Sequence, residues 1–208
     1  SIIIGNNELL LEDLPEWDLS RESCEEIRLA SLRARDIVKH LLTFSRQDDS
    51  NKKAVDIRSV VKESLKLIRS TTPTNIEIRD DLSPDCFLVF GDATQINQIL
   101  INLLNNSIYA LPISGGRIDI ELSNTVLPNE MIFSTKKLLP GKYVRLRIQD
   151  NGRGMGKEML EKIFEPYFTT KDVDQGSGLG LSVVHGIVAN HEGAITCDSK
   201  KGRGTTFT

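Results

Sequence analysis

Apolar and polar positions follow two rhythms along this chain, and the change of rhythm divides it. Ile2 to Leu11 is an apolar, helix-compatible stretch with no capping residue ahead of it, as expected of the continuation of a longer helix. Pro15 and Trp17 mark a turn, after which Asp18 or Ser20 can cap a long helix to about Arg46. Within it Ile27, Ala30, Ala34, Ile37, Leu41 and Phe44 recur at intervals of three and four. They form one apolar stripe on a helix about 40 Å long. Two helices in a hairpin enclose no core alone, so the stripe predicts a partner. A four-helix bundle made by two chains is the simple solution.

Gln47 to Lys53 (QDDSNKK) has linker composition. Beyond it short strands alternate with helices. Helices are predicted over Arg58–Arg69, from Asp92 to Ala110, and over Leu179–Asn190, the second opening on a DATQ sequence that offers a capping box between Asp92 and Gln95. Strands are predicted at Asn75–Arg79, Cys86–Phe90, Arg117–Ser123, Lys142–Asp150, Ala194–Asp198 and Thr205–Thr208, the last meeting the end of the chain partway along. Thr125 to Gly141, with Pro128 and Pro140, reads as a loop between strands. The expected fold class is α+β. A helical hairpin over residues 1–47 (half of a dimeric four-helix bundle) and a linker over 48–53 precede an α/β sandwich over 54–208, with one mixed sheet and helices on one face.

Composition narrows the possibilities. A chain of 208 residues holds one large domain or two smaller ones. A net charge of −3 and a pI near 5.7 give no electrostatic reason to expect a nucleic-acid partner. Cys24, Cys86 and Cys197 are odd in number, far apart and without a CxxC pair. They read as buried thiols of a reducing compartment ahead of metal ligands or disulfides. No apolar run approaches membrane-spanning length and no signal-peptide pattern opens the chain. The expectation is a soluble, cytoplasmic fragment without direct membrane contact, whose parent protein can still carry membrane segments upstream.

Chemistry concentrates in three ordered signatures: NLLNN (Asn102 to Asn106), DNGRGMG (Asp150 to Gly156) and GSGLGLS (Gly176 to Ser182). Gln98, Asn102 and Asn106 lie four apart beside a stripe of Ile96, Ile99, Leu100, Leu103 and Leu104. Asn is a poor mid-helix residue, so this polar row suggests a task beyond packing, against the bland alternative of a solvated face. Asp150 shares the apolar face of its strand with Val144, Leu146 and Ile148, where an unpaired carboxylate is costly. Gly152, Gly154 and Gly156 allow a sharp turn or the close approach of a flat group, against the alternative of a plain DNG turn. Gly176, Gly178 and Gly180 would place free amides at a helix N-terminus, which favours phosphate oxygens, although no Walker A lysine comes after them. Between Arg153 and Gln175 lies a long connection with a short helix near Lys157 to Ile163.

With FEPYFTTK (Phe164 to Lys171) between the last two signatures and GRGTTF (Gly202 to Phe207) after them, the chain resembles the ATP-binding domain of sensor histidine kinases, a relative of gyrase, Hsp90 and MutL. The resemblance covers nearly all of it. It implies ATP and Mg²⁺ as cofactors. Asn106 would give its amide oxygen to Mg²⁺, with Asn102 supporting the water shell or the phosphates. Asp150 would accept from the exocyclic amine of adenine, assisted by Thr205. Gly152, Gly154 and Gly156 would admit the base, and Gly176, Gly178, Leu179 and Gly180 would meet the nucleotide at the helix start. The long connection would be the ATP lid, pinned by Phe164, Tyr167 and Phe168, and Lys171 is a phosphate contact or an ordinary surface lysine.

The same resemblance implies γ-phosphoryl transfer to a histidine, then to an aspartate of a response-regulator receiver domain, by a homodimer joined through the hairpin. IIIGNNELLLED resembles the segment C-terminal to the family's acceptor motif, so the acceptor is expected about two helical turns before Ser1. No catalytic residue is expected within the chain. His40, His185 and His191 read as surface or packing residues, and the fragment is expected to bind nucleotide without phosphorylating itself. The family's N-A-x-[DK] continuation reads Asn106-Ser107-Ile108-Tyr109 here, which puts a charged contact near the phosphates in doubt. Two rivals stand beside this reading: a degenerate, non-catalytic interaction module, and another ATPase or serine kinase of the superfamily. The helical hairpin argues against the second.

Overall fold

The computed structural model describes residues 2–15, 17–45, 52–133, 136–170 and 178–208, with the side chains of residues 33 and 35–45 outside the description. Ser1–Gln47 with Tyr167–Leu179 groups as one compact unit, and Asp48–Pro166 with Gly180–Thr208 as another.

In the first unit, α1 (Ile2–Asp13) and α2 (Ser20–Ser45) pack together. Ile4, Asn7 and Cys24 are buried. No glycine closes α1. Instead the Arg21 guanidinium donates through Nη1 to the carbonyls of Leu11 and Leu14, both at 2.9 Å, satisfying orphan acceptors of the helix end. The Asp18 side chain accepts from Ser20 N at 2.8 Å at the start of α2. Ile27, Ala30 and Ala34 face outward, Ile27 being 49% exposed, so the described part of the apolar stripe is left uncovered. The side chains of Ile37, Leu41 and Phe44 lie outside the described residues.

The second unit runs β1 (Lys53–Val55), α3 (Ile57–Thr71), β2 (Ile76–Leu82), β3 (Val89–Gly91), α4 (Ala93–Ala110), β4 (Gly116–Leu127), β5 (Met131–Phe133), β6 (Lys136–Leu138), β7 (Gly141–Asp150), α5 (Lys157–Leu160), α6 (Gly180–Asn190), β8 (Cys197–Ser199) and β9 (Thr205–Phe207). Five strands form a mixed sheet in the order β2-β4-β7-β9-β8, parallel only between β2 and β4. Period-two alternation makes this sheet one-sided. Ile118, Ile120, Leu122, Ile148 and Phe207 are buried, and register pairs Ile120 with Ile148 and Ile148 with Phe207. The intervening residues on the other face make ion pairs, Arg117 with Asp119 and Arg147 with Glu121, as expected of a sheet wetted on one side. Helix α4 lies between α3 and α6 and packs on β7. Its Leu100 and Leu104 are fully buried, each worth about 1.5–3 kcal/mol of burial.

Two expectations are corrected. The segment from Thr125 to Gly141 is not a loop: β4 runs on to Leu127, pairing with β7 as far as Gly141, and β5 with β6 forms a small antiparallel ladder of its own. The capping box is also absent. The Asp92 side chain does accept from Thr94 N at 2.7 Å, but Asp92 N donates to His191 Nε2 at 3.0 Å, while Gln95 Oε1 is buried without a hydrogen bond. His191 Nδ1 lies 2.8 Å from Ile187 O, so the proton sits on Nδ1 and Nε2 is free to accept.

Candidate nucleotide site

The site begins where β7 ends. Asp150 is 3% exposed, on the same face as Ile148. Its two hydrogen bonds both end on Oδ1, from Gly152 N at 2.8 Å and Thr205 N at 3.2 Å. Neither backbone amide engages Oδ2. Burial pushes the Asp150 carboxyl above the usual carboxylate range, opposed by those two amides and by the Ser107 hydroxyl. On β8, beyond β9 in the sheet, burial together with Asp198 and Asp150 pushes the Cys197 thiol up to about 12, so it stays neutral and inert.

The surrounding backbone is tightly drawn. A Cβ on Gly152 would stand 2.5 Å from Ala110 O and 2.9 Å from Asp150 Oδ1, so only glycine lets the turn pass between the end of α4 and the acid. Gly154 takes φ +61° against Lys200 O. Ser199 Oγ accepts from Met155 N at 2.8 Å and stands 3.0 Å from Thr205 Oγ1, tying the glycine turn to β9. Asn151 Oδ1 accepts from Arg117 N at 2.8 Å, which fixes the start of β4.

Helix α4 supplies the second wall. Asn102 and Asn106 stand one turn apart, Asn102 half-buried, and Ser107 is 1% exposed. Asn102 Nδ2 is buried with no hydrogen-bond partner, and a Cβ on Gly180 would lie 3.5 Å from Asn102 Oδ1. The first residue of α6 therefore faces the polar row of α4. An orphaned buried donor beside the amino end of an eleven-residue helix fits an anionic ligand. Among the described residues no cluster of three His, Cys, Asp or Glu could hold a metal.

A family model described as histidine kinase-, DNA gyrase B-, and HSP90-like ATPase matches residues 91–208, the stretch that contains all of these groups. The chain belongs to this family. Sensor kinase CckA of Brucella abortus (strain 2308) is 36% identical to it over 205 residues, 99% of this chain and 22% of that protein. Sensory histidine kinase/phosphatase NtrB of Azospirillum brasilense is 33% identical over 97% of this chain and 49% of that protein. The chain thus spans less than half the length of each of these two curated relatives. Among solved structures, histidine kinase ThkA in complex with response regulator protein TrrA aligns with TM-score 0.62 and 25% identity over 99% of this chain and 55% of that one.

Within this ATPase domain Asn102 meets Gly180, and Asp150, Gly152, Gly154 and Thr205 gather where β7 ends, with Asn106 on the same helix as Asn102. Gly156 differs from the other glycines of its turn: its φ is −83° and a Cβ there would meet nothing, so the protein backbone does not demand glycine. Gly178 and Leu179 belong to the first unit, where Gly178 takes φ +67° with its would-be Cβ against the Tyr167 backbone. Lys171 and Gly176 lie outside the described residues. Phe164 meets His185 with ring centroids 5.4 Å apart, and Tyr167, which belongs to the first unit, is 63% exposed. At the doubtful family position, the Tyr109 ring carries the Arg153 guanidinium at 5.0 Å, a cation held by stacking.

Ser107, Asn151, Ser199 and His191 have structural parts in or beside the site that sequence reasoning does not assign. Ser107 carries a signal, since it continues the buried series 96, 100, 103, 104. The others act through contacts 34 to 99 residues away, which no local pattern carries.

Proposed function

We propose that the chain is the ATP-binding catalytic portion of a sensor histidine kinase, following a dimerisation hairpin over residues 1–47 and a linker over 48–53. The observation that carries this reading is the buried Asp150 carboxylate, held through one oxygen by two backbone amides with its other oxygen left to accept. Asp150 and Thr205 would hold adenine by its exocyclic amine, and the glycines at 152, 154 and 156 would admit the flat base. Gly176, Gly178, Leu179 and Gly180, with Lys171, would face the phosphates. Asn106 would hold Mg²⁺ by its amide oxygen, with Asn102 beside it; Mg²⁺, when bound, neutralises phosphate charge. These residues position and neutralise, and the γ-phosphoryl group passes to a histidine of the intact protein and on to a receiver-domain aspartate. Work in the cytoplasm as a homodimer belongs to the same proposal.

Calorimetric titration of ATP with and without Mg²⁺ tests the site. Asn106→Ala should lose the Mg²⁺-dependent part of the affinity and keep the rest; equal enhancement by Mg²⁺ in both proteins would remove Asn106 from the metal. Radiolabelled ATP offered together with a separate acceptor hairpin should label the acceptor histidine. Binding without labelling would make the chain the non-catalytic module instead.

A further inference from the structure

Two serines are fully buried in the helices of the second unit, and they are treated differently. Ser64 on α3 is satisfied in the ordinary way, its Oγ lying 2.7 Å from Val60 O, one turn back, and 2.6 Å from Asn97 Oδ1. Ser107 on α4 makes neither kind of bond. Its Oγ is buried with no hydrogen-bond partner, although a buried hydroxyl left unpaired is costly.

Ser107 is buried on α4, which packs on β7, one turn before Ala110, whose carbonyl lies against Gly152 beside Asp150. The Ser107 hydroxyl acts on that carboxylate in the sense that favours the charge. The other groups on the carboxylate are the amides of Gly152 and Thr205, both on Oδ1. Cys197 on β8 is the titratable group that senses Asp150, and it stays neutral; among the described residues no charged group acts on the carboxylate in return. With Oδ1 held twice, the freedom left to the carboxylate is the placement of Oδ2, and Ser107 is the side chain among these contacts that can set it.

Resting on the nucleotide reading above, we infer that Ser107 is a positioning residue of the purine site, its hydroxyl turning the Asp150 carboxylate so that Oδ2 meets the exocyclic amine of the base. A packing role for Ser107 would support every ligand equally. A positioning role supports only ligands that carry the amine.

The test is a ligand-and-residue cycle on the 208-residue chain. Affinities of wild type and Ser107→Ala are measured by calorimetry for ADP and for purine riboside 5′-diphosphate, which lacks the 6-amino group. Wild type should prefer ADP. Ser107→Ala should lose about three- to tenfold in ADP affinity, the worth of one hydrogen bond, and under about twofold for the deaminated nucleotide. Its thermal midpoint should move little, because losing a weak contact to the carboxylate and removing a buried hydroxyl without a formed bond offset each other. Equal losses for both nucleotides, a lowered midpoint with no ADP-specific loss, or a preference for ADP kept in full by Ser107→Ala would each overturn the inference alone. Absence of any ADP preference in the wild type would overturn the adenine reading, and this inference with it.

Discussion

Asp150 concentrates the energetics of the site in one side chain. A carboxyl whose native pKa is raised contributes stability that is complete below its unfolded pKa, about 3.9, and lost as pH rises through the raised native value. Above that raised value the domain carries an ionised buried acid at a cost. Asp150→Asn removes that cost and keeps an oxygen for the amides of Gly152 and Thr205. Its thermal midpoint at pH 7.5 should equal or exceed that of the wild type, the gap closing as pH falls toward 4. ATP affinity should meanwhile drop about ten- to a hundredfold, the loss of a charge-assisted bond of about 1.5–3 kcal/mol. Calorimetric scans and titrations read both, and an unchanged affinity would take the acid out of base recognition. The position of Asp150 is legible in the sequence because period two puts it on the face of Ile148. Its partners are not: Thr205 lies 55 residues on, joined to it only by the pairing of β7 with β9.

Among the elements, α4 carries the most, and only half of its start is legible in the sequence. Residue type reveals the Asp92 cap, but the acceptor for its own amide comes from His191 at the far end of α6. Gly91 shows how closely they meet, since a Cβ there would lie 2.5 Å from His191 Cδ2. His191→Ala should leave the Asp92 amide unpaired and cost about 1–3 kcal/mol of unfolding free energy. Urea titration checks this, and a loss below about 0.5 kcal/mol would make the contact incidental. The segment over 125–141 misleads for a different reason. Pro128 and Pro140 suggest a break, yet both stand outside the paired residues of β4, β5, β6 and β7, where a missing N–H costs no ladder bond.

At the scale of the whole molecule, the hairpin and the ATPase domain pose separate problems. The outward-facing Ile27, Ala30 and Ala34, with Ile3 and Leu10 exposed on α1, give the hairpin apolar surface that a second copy can cover. Light scattering should find a dimer at micromolar concentration, and Ile27→Glu should shift it toward monomer; a wild-type monomer at all concentrations would leave the hairpin without that role. In the ATPase domain, the arrangement of α4 and α6 has a consequence for chain length. His191 moors one end of α6 to the start of α4, while Gly180 at the other end faces Asn102. Both routes, ten residues up α4 and eleven down α6, measure about 15 Å at 1.5 Å per residue. The two helices therefore work as matched rulers. One residue added to α6 between these points would rotate its amino end by about 100° and carry it away from the asparagine row. This helix can exchange residues but cannot gain or lose one.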